Sequence, residues 1–139
     1  MTIYVVDTGP FINLFRHYYP GRFPSLWEQF DSMIESGKLT STREVRNEIE
    51  GYGDQLSEWC RRMPEVFPVP TAEELGFVRD IFAVEHYQAM IRARERLSGS
   101  PVADPFVIAR ARSIADGCVR EGDSLRDQDA VIFGRHSRQ

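Results

Sequence analysis

The stretch Ile3-Tyr4-Val5-Val6-Asp7-Thr8-Gly9-Pro10 decides the fold class of this chain. The four large apolar residues Ile3–Val6 predict a strand that is buried on both faces, as in a parallel sheet. Asp7 follows at the carboxyl end of that strand, where open α/β sheets bind their ligands. A carboxylate buried there without a partner would be costly. We therefore expect a metal ion beside Asp7; the alternative is that Asp7 only caps the next helix.

Composition sets the broad class. The 139 residues suit one domain, and the formal net charge of −4 argues against broad nucleic-acid affinity without excluding a nuclease. No apolar run approaches the roughly 20 residues that span a bilayer, and no basic segment precedes the first apolar stretch. Cys60 and Cys118 lack metal-binding spacing and indicate thiols in a reducing compartment. We expect a cytoplasmic protein that does not enter membranes.

The rest of the chain alternates helix and strand without a linker. The predicted elements are a helix at Ser25–Ser36, a strand at Leu39–Ser41, a helix from the N-cap Thr42 through Glu50, a helix over Ala72–Leu97 and a last helix from Pro105. This order predicts a three-layer α/β domain, with a short parallel sheet flanked by helices. The domain is expected over residues 1–120, and residues 121–139 form a polar tail whose structure the sequence leaves open.

A second acid lies on the apolar face of the predicted helix ending at Glu50. Val45 and Ile49 follow the spacing of a buried stripe, and Glu48 falls within roughly 60° of its centre. Glu48 is therefore a candidate metal ligand. The alternative is an edge position where the stem of Glu48 packs and its carboxylate reaches water.

A third acid, Asp104, precedes Pro105 at the start of the last helix. Its residue type is typical of an N-cap, and proline is common at the first helical position. Asp104 also shares a face with Val107, Ile108 and Ala111, so its carboxylate is expected to point toward whatever that face covers. The two roles are compatible, since a helix N-terminus stabilises negative charge.

Asp7, Glu48 and Asp104 together predict an oxygen-rich cluster at one end of the sheet. Mg²⁺ and Mn²⁺ prefer carboxylate oxygens and retain water in their shells. Such a site is suited to phosphodiester hydrolysis, in which the metal polarises the phosphate and lowers the pKa of bound water.

These motifs resemble the PIN-domain ribonucleases, which include the VapC-like toxins of toxin–antitoxin pairs. The resemblance covers residues 3 to 117 and rests on the strand ending at Asp7-Thr8, on Val45–Glu48 and on Ala103–Ala109. The segments 16–20 and 53–59 resemble an uncharacterised PIN-like subgroup. The resemblance implies a Mg²⁺- or Mn²⁺-dependent endoribonuclease with three or four acids, an RNA substrate, an antitoxin partner and a homodimer.

The chain departs from the PIN pattern after the last predicted helix. Family members continue with a glycine, an apolar strand and V-T-x-D, whereas here Cys118-Val119-Arg120 leaves a truncated strand. Asp123 and Glu121 are both candidates for the fourth catalytic acid. Asp123 is favoured because Gly122 lets the chain turn after the strand. The departure keeps a second interpretation open, in which the chain is a weak or inactive PIN-like module that binds another protein.

One other enzyme class shares the opening motif. Val5-Val6-Asp7-Thr8-Gly9 matches the signature of aspartic proteases, whose fold is nearly all β. The helical pattern after residue 10 argues against a protease. Phosphotransfer at a strand-end aspartate is set aside, since the chain lacks the D-x-D motif or paired lysine that it needs.

Overall fold

A short parallel sheet lies at the centre of the fold. The computed structural model describes residues 2–50, 55–98, 103–120 and 130–133. Within these, the strands β1 (Ile3–Val6), β2 (Leu39–Thr40) and β3 (Ala130–Phe133) form one parallel sheet in the order β2-β1-β3. Tyr4 pairs with Leu39 on one side and with Val131 on the other. The predicted first strand is thus confirmed, and the structure shows that it lies at the centre of the parallel sheet.

The described part of the chain is mixed α/β and mostly helical. Its helices are α1 (Thr8–His17), α2 (Pro24–Glu35), α3 (Arg43–Glu50), α4 (Gln55–Arg62), α5 (Ala72–Phe82), α6 (Glu85–Ser98) and α7 (Asp104–Arg120), with a 3-10 turn at Pro64–Val66. Helix α7 packs against α5, β1 and β3, and α1 packs against α3 and α4. None of the described helices is both long enough and apolar enough to cross a membrane.

Local sequence signals explain where several helices begin and end. Gly37 has a φ of 72° just after α2, a left-handed conformation that favours glycine and turns the chain into β2. Thr71 and Glu74 form a capping box at the start of α5, in which each side chain accepts a hydrogen bond from the other's backbone N–H.

Aromatic side chains form much of the core beside the sheet. The ring of Phe11 lies 5.7 Å from that of Trp59 and 5.6 Å from that of Phe67, measured between centroids. The ring centroid of Phe30 lies 5.5 Å from that of Trp59. Val5, at the centre of β1, is fully buried in the same core. This packing fixes α1, α2 and α4 relative to the central strand.

Two sequence predictions about the elements are wrong. The single helix predicted over Ala72–Leu97 is two helices, since α5 ends at Phe82 and α6 begins at Glu85. The side-chain amide of Gln88 donates to the Phe82 carbonyl at this break, so a side chain satisfies an end group of α5.

The strand predicted at Cys118–Arg120 is also wrong, because α7 continues through Arg120. The breaker before this segment is Gly117, and one interior glycine costs a helix only about 1 kcal/mol. The third strand lies further on, within the predicted polar tail. Its apolar run Ala130–Phe133 has the length of Ile3–Val6, and that run is the sequence signal that identifies β3.

Candidate functional site

Asp7 lies between the central strand and the first helix. It is the N-cap of α1, with extended backbone, and its Oδ1 accepts a hydrogen bond of 2.7 Å from the Thr8 backbone N–H. The residue is half-buried. Asp7 therefore has the capping role that the sequence left open as an alternative. The cap uses one oxygen of this carboxylate, which lies at the carboxyl end of β1.

Glu48 points inward from α3, on the flank that the apolar stripe predicted. Its Oε2 accepts a hydrogen bond of 2.5 Å from the Thr8 hydroxyl, and its Oε1 accepts one of 2.8 Å from the Ala103 backbone N–H. These partners lie 40 and 55 positions away in sequence. One half-buried carboxylate therefore connects α3 to the first residue of α1 and to the residue that precedes α7.

The turn from β2 into α3 is fixed against the end of the central strand. The hydroxyl of the fully buried Ser41 donates a 2.6 Å hydrogen bond to the carbonyl of Val6, the last residue of β1. Thr42 caps α3, as predicted, by accepting a 3.4 Å hydrogen bond from the Val45 N–H. These contacts hold the first turn of α3 beside the strand end that carries Asp7.

Asp104 is the first residue of α7 and is half-buried. The carbonyl of Ala103 accepts hydrogen bonds from the N–H groups of Phe106 and Val107, so the helix begins one residue earlier than its proline implies. Val107 is buried, but Ile108 is 47% exposed and does not belong to the predicted inward face. Asp104 therefore lies nearer to the edge of the buried face than the sequence pattern indicated.

The hydrogen bonds of Glu48 bring the segments carrying the three predicted acids together. Thr8 is the neighbour of Asp7 and Ala103 is the neighbour of Asp104, and both donate to the same carboxylate. Asp123 and Glu121 lie outside the described residues. Across the described residues, which include Asp7, Glu48 and Asp104, no group of three or more His, Cys, Asp and Glu side chains is placed so that it could hold a metal ion.

A further acid in this region was not selected from the sequence. Glu44 lies one turn before Glu48 on α3 and is only 6% exposed. Its Oε1 accepts hydrogen bonds from Nη2 and Nε of Arg43, at 2.7 and 3.1 Å, while its buried Oε2 has no hydrogen-bond partner. The signal that could have found Glu44 is its four-residue spacing from Glu48, which places both acids on one helix flank.

A second polar network is centred on Arg110. Arg110 on α7 donates to Glu74 at 3.0 Å and to the Thr40 hydroxyl at 3.2 Å, and Glu74 is only 2% exposed. Arg110 and Thr40 also line a cleft of about 380 Å³ with apolar walls from Ile3 and Leu39. None of the three predicted acids lines this cleft. The network connects α5, α7 and β2, and we assign it to the stability of the fold and not to the candidate site.

Comparison with known proteins places the chain in a family. Residues 4–123 match the family described as a domain of unknown function, DUF4411. No curated protein and no solved structure matches the chain significantly. The matched range contains Asp7, Glu48 and Asp104 and spans most of the 139 residues. The chain therefore belongs to the DUF4411 family.

Proposed function

We propose that this chain is a Mg²⁺- or Mn²⁺-dependent endoribonuclease with a three-layer, PIN-like arrangement. Its site would consist of Asp7, Glu48 and Asp104, with Asp123 as a fourth acid. The observation that carries the proposal is the position of the Glu48 carboxylate. It accepts hydrogen bonds from Thr8 and Ala103, the neighbours of the other two acids, at the carboxyl end of the central strand.

The chemistry of the donor set suits a hard divalent cation. Asp7, Glu48 and Asp104 are all half-buried, so part of each residue remains accessible to water. A carboxylate oxygen has two lone pairs, so one hydrogen bond does not exhaust its capacity to bind a cation. Asp7 and Asp104 lie at the N-termini of α1 and α7, where the helix dipoles stabilise negative charge.

Each residue of the proposed site would have a distinct role. Asp7, Glu48 and Asp104 would hold the cation and orient its bound water. The Thr8 hydroxyl donates a hydrogen bond to Glu48 and so fixes the direction of that carboxylate. The bound cation would supply Lewis-acid activation of the phosphodiester and a lowered pKa for the attacking water.

Metal-dependent cleavage of a mixed panel of single-stranded RNAs tests the proposal. We expect the purified chain to cut RNA with Mg²⁺ or Mn²⁺ and to stop when a chelator is added. Asp7→Asn should abolish cleavage, and Asp123→Asn should weaken it less. Asp31→Asn changes an exposed acid on α2 and should cut like the wild type. Failure to cut with any divalent metal, or equal cutting by Asp7→Asn, would contradict the proposal.

The resemblance to VapC-like toxins extends the proposal to partners. We propose that the nuclease acts in the cytoplasm as the toxin of a toxin–antitoxin pair, as a homodimer held inactive by an antitoxin protein. Size-exclusion chromatography with light scattering measures whether the chain forms the homodimer. A strictly monomeric chain at micromolar concentration would contradict the dimer.

A second candidate function is an inactive PIN-like module that binds another protein. The observation in its favour is that both Glu48 oxygens already accept hydrogen bonds from the chain itself. In that case Glu48 serves only to join α1, α3 and the start of α7. The two candidates differ in one measurable respect, because the module would neither bind divalent metal nor cut RNA.

A further inference from the structure

An exposed segment rich in aromatic and basic residues comprises the end of α1 and the turn that leads into α2. This segment, residues 16–23, is called the aromatic turn. Its rings are exposed, at 43% for Tyr18, 57% for Tyr19 and 41% for Phe23. Arg16 and Arg22 are also exposed, and the segment contains no acidic residue although the whole chain has a net charge of −4. The aromatic turn is thus a locally cationic and apolar surface on an acidic protein.

Hydrogen bonds hold the aromatic turn in one conformation. The N–H groups of Arg22 and Phe23 both donate to the Tyr19 carbonyl at 3.0 Å, which closes a tight turn. The indole N–H of Trp27 donates to the Tyr18 carbonyl at 2.6 Å. The Trp27 ring in turn packs edge-on against Phe15, with centroids 5.0 Å apart. The backbone of the turn is therefore anchored to the core.

Two of the rings of the aromatic turn restrain each other. Tyr18 and Phe23 contact each other edge to face, with centroids 5.3 Å apart, and both remain more than a third exposed. Because this contact restrains both rings, less side-chain freedom is lost when a base stacks on either of them. Preorganisation of this kind lowers the cost of binding.

An exposed polar face of α1 joins the aromatic turn to the strand-end site. Gly9, Asn13, Arg16 and His17 are spaced by four, three and one residues and so lie on one side of the helix. Asn13, Arg16 and His17 are exposed, and nothing lies within 4 Å of where a Cβ on Gly9 would be. The ten residues of α1 span about 15 Å, which is about four or five nucleotides of a stacked strand.

We propose that the aromatic turn is a subsite for single-stranded RNA. Bases stack on Tyr18, Tyr19 and Phe23, while Arg16 and Arg22 contact the phosphates. A base must leave a duplex before it can stack on a protein ring, so the subsite selects single strands. This inference rests on the proposed nuclease function, because the RNA strand bound at the aromatic turn would run along α1 toward Asp7.

RNA binding by the full chain, measured separately from cleavage, tests the subsite. The probe is a fluorescently labelled 12-nucleotide oligouridine, followed by anisotropy in the presence of a chelator that prevents cutting. We expect Tyr19→Ala to weaken binding by about 5- to 100-fold, as for the loss of one stacked base. Tyr19→Phe keeps the ring and should bind like the wild type. Arg22→Gln should weaken binding and reduce its salt dependence by about one phosphate contact.

Tyr87 provides a matched control. It is a 49% exposed tyrosine beside His86 on α6, so Tyr87→Ala removes a similar ring from another surface and should leave RNA affinity unchanged. Wild-type affinity in Tyr19→Ala would overturn the subsite and favour a protein partner for these rings. Equal affinity for single-stranded and duplex RNA would also overturn it. Ring-dependent binding without cleavage under any metal would support the subsite while contradicting the proposed nuclease.

Discussion

At the scale of single residues, Glu48 makes the contacts on which the candidate site depends. Glu48→Ala removes the acceptor for both the Thr8 hydroxyl and the Ala103 N–H. Because these donors are left without their partner, we expect a loss of about 1–3 kcal/mol in the free energy of unfolding. For a chain of this size the melting temperature should fall by about 3–5 °C per kcal/mol.

The variant Glu48→Gln separates geometry from charge. Its side-chain carbonyl can accept one of the two hydrogen bonds, so it should lose less stability than Glu48→Ala. Thermal melts followed by circular dichroism measure both variants. If Glu48→Ala melts with the wild type, Glu48 does not hold α1, α3 and α7 together.

Glu74 and Arg110 form an ion pair that we expect to contribute strongly to stability. Glu74→Ala leaves the Arg110 guanidinium without its carboxylate and also removes the hydrogen bond from the Thr71 N–H to Glu74 in the capping box of α5. Truncation of one partner of a buried pair typically costs about 3–5 kcal/mol. Because Arg110 is 21% exposed, we expect the lower part of that range in chemical denaturation.

The exposed pair between Arg46 and Glu50 is the matched control. It has the same kind of partners, at 3.2 Å, but its side chains are 34% and 40% exposed. Solvent screening limits such helix pairs to about 0.3–0.5 kcal/mol. Equal losses in Glu74→Ala and Glu50→Ala would mean that burial does not strengthen the Arg110 pair.

At the scale of elements, the turn from α2 into β2 depends on one backbone conformation. Gly37 has a φ of 72°, and nothing lies within 4 Å of where its Cβ would be. Gly37→Ala should therefore cost about 1 kcal/mol through backbone strain alone.

Gly76, inside α5, has the same open surroundings. Gly76→Ala should instead stabilise the chain by about 0.5–1 kcal/mol, and a stabilising Gly37→Ala would contradict this reasoning.

The elements near the N-terminus could be predicted from the sequence because their signals are local. The apolar run of β1, the proline at the start of α2 and the N-cap Thr42 each act within a few residues. The break between α5 and α6 has no proline or glycine to mark it. The apolar run Ala130–Phe133 is a local signal for strand β3, but its pairing with β1 spans more than 120 residues and no local pattern specifies it.

The candidate site could be predicted in part for the same reason. The position of Asp7 follows from its strand, and the inward direction of Glu48 follows from the stripe of Val45 and Ile49. The hydrogen bonds from Thr8 and Ala103 to Glu48 are long-range contacts that the helical period does not specify. The burial of Glu44 depends on the packing around the first turn of α3, so the helical pattern alone does not show whether this side chain is buried.

At the scale of the whole molecule, divalent metal should stabilise the fold. An ion that binds only the folded chain stabilises it by about 2.7 kcal/mol when its concentration is 100 times its Kd. The melting temperature should then rise by roughly 8–13 °C, given about 3–5 °C per kcal/mol. Scanning fluorimetry with Mn²⁺ and with a chelator measures the shift. An equal rise in Asp7→Asn would show that the metal acts elsewhere.

The most direct test of the central claim is Mn²⁺ binding, measured by electron paramagnetic resonance of the free ion. Asp7, Glu48 and Asp104 are proposed to share a cation, so the wild-type chain should remove Mn²⁺ from solution. Asp7→Asn, Glu48→Gln and Asp104→Asn should each bind at least tenfold more weakly, while Asp31→Asn should bind like the wild type. A wild-type chain that leaves the free Mn²⁺ signal unchanged, or three variants that bind as the wild type does, would contradict the proposed metal site.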